Sequence, residues 1–167
     1  MKKYKILIVV SDFNEKITKS LLDGSQETLL NAGISGANLE VLHVPGAFEL
    51  PLLALKGAKS GIWDAIICLG CVIRGGTPHF DYVCQEVARG IMQVGLDTEK
   101  PVIFGVLTTD TYEQALERSG LSKPSSELAK NDGKNIVEHK GVEAAETALK
   151  ILACDLDRLF VERKHLR

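Results

Sequence analysis

No stretch of this sequence approaches the ~18 consecutive apolar residues of a membrane span. The apolar run after Met1-Lys2-Lys3-Tyr4, from Lys5 to Val10, is too short for the core of a secretory signal, so a cytoplasmic protein is expected. Charge of one sign is lacking too. Lys and Arg number 20 against 22 Asp and Glu, a net charge of −2, and no broad basic face argues for nucleic acid. Cysteine is scarce: Cys68, Cys71, Cys84 and Cys154 all fall in apolar, regular segments and read as reduced core residues rather than a disulfide framework. Cys68-x-x-Cys71 is not a metal or redox pair, because strand side chains three apart point to opposite faces. No Lys-Ser or Lys-Thr follows a glycine-rich run, which excludes a Walker loop, and G-x-G-x-x-G is absent, which excludes the dinucleotide fingerprint. Neither an internal repeat nor an interdomain linker is seen.

What is present is an ordinary globular balance, 45% apolar and 25% charged, in 167 residues. That suits one domain over residues 1–167, with a core that needs no metal or disulfide. Four apolar runs have strand length and β-branched content: Lys5–Val10, Leu39–Val44, Ala65–Val72 and Val102–Leu107. Helical periodicity follows each. The first helix carries Ile17, Leu21, Leu22, Leu29 and Ala32 and stops at Gly33; the second carries Phe48, Leu52, Leu55 and Ala58. The third carries Val83, Val87, Ile91 and Val94; the fourth, Thr111 to Ser119, is short, with Asp110-x-x-Glu113 as its capping box and Gly120 as its stop. A last helix carries Val142, Ala145, Leu149, Leu152, Leu156 and Leu159 as one apolar stripe. Residues Leu121 to His139, polar and holding Pro124, read as an exposed loop with room for one helical turn around Ser126–Lys130. Strand–helix alternation with continuously apolar strands predicts a four-stranded parallel sheet in a three-layer α/β/α sandwich. Ligands of such sheets bind beyond the carboxyl ends of the strands. The loops there are Ser11–Asn14, Pro45–Glu49, Arg74–His79 and Thr108–Asp110.

The stretch from Gly70 to Phe80 is the richest in chemistry. A buried strand ends, Gly75-Gly76-Thr77 loosens the backbone, and a helix starts at Pro78 or His79. Exposed N–H groups at a helix start suit an anion, and a histidine there exchanges protons near neutral pH. The local alternative for His79 is a cap or a structural hydrogen bond. Arg74 and Arg118 are cations suited to phosphate. By position alone, Arg118 is also a cation favoured by a helix C-terminus. Phe13, in the first loop, is placed either to stack on a flat heterocycle or to staple the next helix, and Asn14 is placed to cap it. Glu49 either complements a helix dipole or accepts hydrogen bonds from a polyol.

Taken together, the motifs from about Lys5 to Phe160 closely resemble the lumazine synthase family. They are Ser11-Asp12-Phe13-Asn14; Val44 to Pro51; Gly70 to Tyr82; Phe104 to Thr111; Glu113-Gln114-Ala115 with Glu117-Arg118-Ser119-Gly120; and Lys140-Gly141 with Glu143-Ala144-Ala145. The resemblance implies a flavodoxin-like fold and a transferase of riboflavin biosynthesis. Such an enzyme condenses 5-amino-6-(D-ribitylamino)uracil with 3,4-dihydroxy-2-butanone 4-phosphate, releasing phosphate and water, with no cofactor or metal. By the same resemblance Phe13 stacks on the pyrimidine, Ala47 and Glu49 hold the ribityl chain beside Phe48, and the backbone at Cys71, Val72 and Ile73 reads the pyrimidine edge. Gly76, Thr77 and Arg118 take the phosphate, His79 shuttles protons, Phe104 and Arg118 come from a neighbouring subunit, and Lys140 lies near the pyrimidine. Homopentamers with sites between subunits are implied, with riboflavin synthase as a downstream partner. Departures are Ala47 where serine is frequent, Phe48 where tryptophan is common, His139 where asparagine often precedes the lysine, and the long 121–139 insertion. With only about four residues before the first strand, a pentamer or decamer is expected rather than a sixty-subunit shell. An archaeal-type riboflavin synthase should lack the phosphate loop, and the retained His79, Arg118 and glycine pair speak against a silent flavin-binding relative.

Overall fold

The structure, a computed structural model, describes residues 4–122 and 139–154. The four apolar runs form strands β1 (Ile6–Ser11), β2 (Leu39–Val44), β3 (Ala65–Ile73) and β4 (Val102–Thr109). They pair in parallel in the order β2-β1-β3-β4. Ile6 is in register with both Leu39 and Ala65, and Ile66 with Val102. β1 and most of β3 are buried on both faces, as central strands of a covered parallel sheet must be. β1, β3 and β4 each run one or two residues past their expected ends, carrying the carboxyl edge outward.

The helices are α1 (Glu15–Asn31), α2 (Leu50–Lys59), α3 (His79–Thr98), α4 (Tyr112–Arg118) and α5 (Lys140–Ala153). On one face of the sheet, Ile17, Leu21 and Leu29 of α1, Ala115 of α4 and Ala144, Ala145 and Ala148 of α5 pack on Ile6, Ile8, Ile67 and Leu69. On the other, Leu50, Ala54 and Ala58 of α2 and Val87, Ile91 and Val94 of α3 pack on Leu7, Val9, Ile66 and Cys68. This is the three-layer, flavodoxin-like sandwich. Cys68 and Cys71 join opposite cores, as the strand alternation requires. Cys84 is only half-buried and Cys154 is exposed, so two of the four cysteines are not core residues.

Three local expectations change. The inward face of α2 is Leu50, Ala54, Gly57 and Ala58, flanked by Leu55; the expected Ala58 lies on it, but Phe48 and Leu52 do not. A 3₁₀ turn, Ala47–Glu49, precedes the helix, and Leu50 drops beneath Gly70, where a Cβ would sit 3.1 Å from Leu50 Cδ1. Phe48 and Leu52 are therefore turned outward, 59% and 55% exposed. The capping box of α4 is Thr111 with Gln114, not Asp110 with Glu113: Gln114 N–H donates to Thr111 Oγ1, and the Gln114 amide oxygen accepts from the Asp110 and Thr111 N–H groups. In α5 the deepest face is small, Gly141, Ala144, Ala145 and Ala148, while Leu149 and Leu152 only flank it. Leu156, Leu159 and residues 123–138 of the expected loop lie outside the described residues.

The N-terminus of α5 is held by a histidine. His139 Nδ1 accepts from the N–H groups of Gly141 and Val142, at 3.2 and 3.4 Å. Its ring fills the space beside two glycines: a Cβ on Gly24 would lie 2.5 Å from its Cε1, and one on Gly120 would lie 2.6 Å from its Cδ2. Asparagine, frequent at this place in the resembled family, is a pH-independent cap; histidine does the same work only with Nδ1 unprotonated. Burial lowers the His139 pKa below its ordinary 6.5. The unfolded chain thus binds this proton more readily than the folded one, so the contribution of His139 is complete above about pH 6.5 and is lost as pH falls below it. The melting temperature is expected to drop from pH 7 to pH 5, and less steeply for His139→Asn. Equal slopes in calorimetric scans would remove His139 from this role.

Candidate active site

Three of the four carboxyl-edge loops converge where the sheet order changes direction. β1 sends its chain toward β2 on one side and β3 lies on the other, and a crevice opens at that switch point. A cleft of about 380 Å³ occupies it on the α2–α3 face. Phe13, Ala47 and Phe48, the strand end Cys71-Val72-Ile73, and Gly75, Thr77 and His79 line it, with Gly46, Phe80 and Val83 completing the wall. A mostly apolar cleft with a few convergent polar groups is the usual form of a small-molecule site.

Each wall is held by the backbone. The first loop is stitched to the second by Asp12 N–H donating to Val44 O (2.8 Å) and Phe13 N–H to Pro45 O (3.1 Å). The Asp12 carboxylate meets His43 Nδ1 at 2.7 Å. Asn14 does not cap α1 through its side chain: it takes a left-handed conformation, φ 61°, and its amide donates to Cys71 O at 3.0 Å. Asparagine tolerates that conformation better than other side chains. The result ties the Phe13 loop to the end of β3 and leaves the Phe13 ring 70% exposed over the cleft mouth. In the second loop, Glu49 Oε2 accepts from Gly46 N–H at 3.0 Å, so its carboxylate first serves the turn.

The third loop has glycines that the chain itself does not require. A Cβ on Gly75 or Gly76 would meet nothing within 4 Å, and neither residue has a positive φ. Gly90, by contrast, has Pro51 at 2.9 Å. The backbone at 75 and 76 is thus open to close approach by a group lying against it. Pro78 precedes the first helical residue, His79, so the free N–H groups of α3 open beside this loop. His79 N–H lies 3.4 Å from Thr77 Oγ1, and the His79 side chain is exposed at the cleft. Burial pushes the Cys71 thiol up to about 12, so the one cysteine in the cleft wall is no nucleophile at neutral pH.

Arg74 is engaged by two carboxylates. Its Nε donates to Asp110 Oδ1 at 2.7 Å, its NH1 reaches both oxygens of Asp81 at 2.9 and 3.1 Å, and its guanidinium lies 4.1 Å from the centre of the Phe80 ring. Sequence reasoning missed this grip because Asp81 and Asp110 are seven and thirty-six positions away. It also missed Phe80 and Val83 as cleft walls, although their phase on α3 marked them as inward.

Three expected site residues lie elsewhere on the same chain. Phe104 stands at mid-strand opposite Cys68, about 10 Å of strand below Cys71. Arg118 ends α4 and Lys140 begins α5, both on the opposite face of the sheet, where Lys140 Nζ pairs with Glu143 at 2.9 Å.

The fold and cleft are those of an α/β enzyme, with a mostly apolar pocket and a histidine at a helix start on the carboxyl edge of a parallel sheet. Residues 3–155 match the family model for 6,7-dimethyl-8-ribityllumazine synthase, and the chain belongs to that family. It is 51% identical, over 98% of its length and 86% of the relative's, to the 6,7-dimethyl-8-ribityllumazine synthase of Protochlamydia amoebophila (strain UWE25). Among the described residues no helix is long and apolar enough to cross a membrane, and no group of three or more His, Cys, Asp or Glu side chains is placed to hold a metal.

Proposed function

We propose that the chain condenses 5-amino-6-(D-ribitylamino)uracil with 3,4-dihydroxy-2-butanone 4-phosphate in this cleft, as a cytoplasmic transferase of riboflavin biosynthesis. The observation that carries the reading is the meeting of a histidine and a glycine-paired anion loop at the start of α3, beneath an exposed aromatic ring. The pyrimidine stacks on Phe13, and its edge hydrogen-bonds the backbone at Cys71 to Ile73. The ribityl chain runs past Ala47, Phe48 and Glu49. The phosphate sits on the Gly76 and Thr77 backbone and the Thr77 hydroxyl. The amine adds to the ketone to give an imine, phosphate leaves by elimination, and the ring closes. His79 carries protons between these steps. Holding two reactants in register is the larger share of the catalysis, up to ~7–11 kcal/mol in favourable cases.

Phe104, Arg118 and Lys140 are absent from the lining of their own chain's cleft, which supports their service in a neighbour's. The outward Phe48 and Leu52, with Met92 and Leu96 exposed by 65% and 67%, supply apolar surface for that contact. The assembly is a homopentamer, alone or paired as a decamer, and its product passes to a riboflavin synthase. Mixing both substrates with the protein is expected to yield lumazine fluorescence; flavin binding without turnover would overturn the reading. Arg118→Ala is expected to raise KM for the phosphorylated ketone by about tenfold or more, the scale of a lost charge-assisted contact, with little change for the pyrimidine. Equal losses for both substrates in steady-state kinetics would remove Arg118 from the phosphate.

A further inference from the structure

The Arg74 side chain joins three elements at the anion corner. Its backbone N–H donates to Thr109 O at 2.9 Å, tying the end of β3 to β4. Its guanidinium takes Asp81 from the first turn of α3 and Asp110 from the loop after β4. It covers the outer face of Phe80, whose ring forms part of the cleft wall. The glycine loop begins at the next residue, and Asp81 lies in the first turn of α3, which that loop leads into. Two carboxylates therefore stand beside a site built for a dianion. Unpaired, they would oppose it and cancel the positive end of α3.

We propose that Arg74 is a positioning residue for the phosphorylated substrate: it binds no phosphate, but holds Asp81 and Asp110 paired and turned onto itself so that the Gly75–Thr77 loop keeps its affinity for an anion. The inference rests on the phosphate reading of that loop. The pairs are exposed, with Arg74 42% accessible, so they add little to stability. Removing Arg74 thus changes the field at the loop more than it changes the fold.

The test uses the full-length wild-type, Arg74→Ala and Arg74→Ala/Asp81→Asn/Asp110→Asn enzymes. Inorganic phosphate serves as competitor against the phosphorylated ketone, at low and high ionic strength. In Arg74→Ala the inhibition constant for phosphate and the KM for the ketone are expected to rise together by about tenfold at low salt. That gap should narrow at high salt, where the ~3–10 Å Debye length screens the exposed carboxylates. KM for the pyrimidine should stay near wild type. The triple variant should recover phosphate affinity, since nothing is left for Arg74 to neutralise; a purely structural role for Arg74 would show no such recovery. Unchanged phosphate inhibition in Arg74→Ala, or a loss that the triple variant does not recover, overturns the inference alone. Failure of phosphate to compete in the wild-type enzyme overturns the loop reading and the inference with it.

Discussion

His79→Ala is expected to lower kcat by about a hundredfold or somewhat more, leave KM for both substrates near wild type, and retain measurable turnover. The size follows from what a proton shuttle can supply: general acid–base help is typically ~10²–10⁴-fold. The residual activity follows from everything else in the cleft staying in place. Phe13 is held by its backbone bond to Pro45, the β3 edge by Asn14, and the glycine loop by Arg74 and its own helix. None of these contacts passes through the His79 ring, whose backbone N–H makes only a long contact with Thr77. Single-turnover measurements with saturating substrates would isolate the chemical step. An unchanged rate in the variant would leave the reaction to positioning alone; a large rise in KM would make His79 a binding group instead.

Gly141→Ala is expected to be the most damaging single-methyl change in the fold. A Cβ there would lie 2.0 Å from the carbonyl oxygen of Leu21, and 2.7 and 2.8 Å from the backbone atoms next to it. The obstacle is the main chain of α1, which cannot rotate away as a side chain can. α5 must shift outward, and with it Ala144, Ala145 and Ala148 lose their seat on the sheet. Overpacking of a tight contact typically costs ~1–3 kcal/mol, occasionally more, and the upper end applies where backbone meets backbone. The helix propensity gained by replacing glycine is at most about 1 kcal/mol. A melting temperature lower by about 4–8 °C is the expected net result for a chain of this size. A wild-type melting curve would mean that α1 and α5 are not so closely packed. The same contact accounts for the glycine and paired alanines after Lys140: their smallness serves helix packing, whatever Lys140 itself does at a ligand.

The residues show unevenly which of these features can be read without a fold. β1 and β3 could hardly be missed, because a strand buried on both faces is apolar at nearly every position. The cysteine pair was separable by strand alternation alone. Phe48 and Leu52 are misassigned to the inward stripe of α2 because they have helical spacing as good as that of Leu50 and Ala54; Ala58 is buried and Leu55 half-buried as expected. Only the 3₁₀ turn and the seat under Gly70 decide which stripe faces inward. The α4 cap was misplaced by one residue because Asp110 and Thr111 are both good capping types; Asp110 is instead taken by Arg74.

By itself, then, the order of residues determined the alternation of strands and helices, the parallel sheet with its two covers, and the placing of a histidine and two glycines at a helix start, since each of these is a property of neighbours along the chain. Tertiary structure alone decided the strand order that opens a cleft between β1 and β3, the capture of Arg74 by two distant carboxylates, and the separation of Phe104, Arg118 and Lys140 from the cleft. Those depend on which segments come to lie side by side, and that is fixed by burial of the two apolar faces of one sheet, an energy no single segment carries.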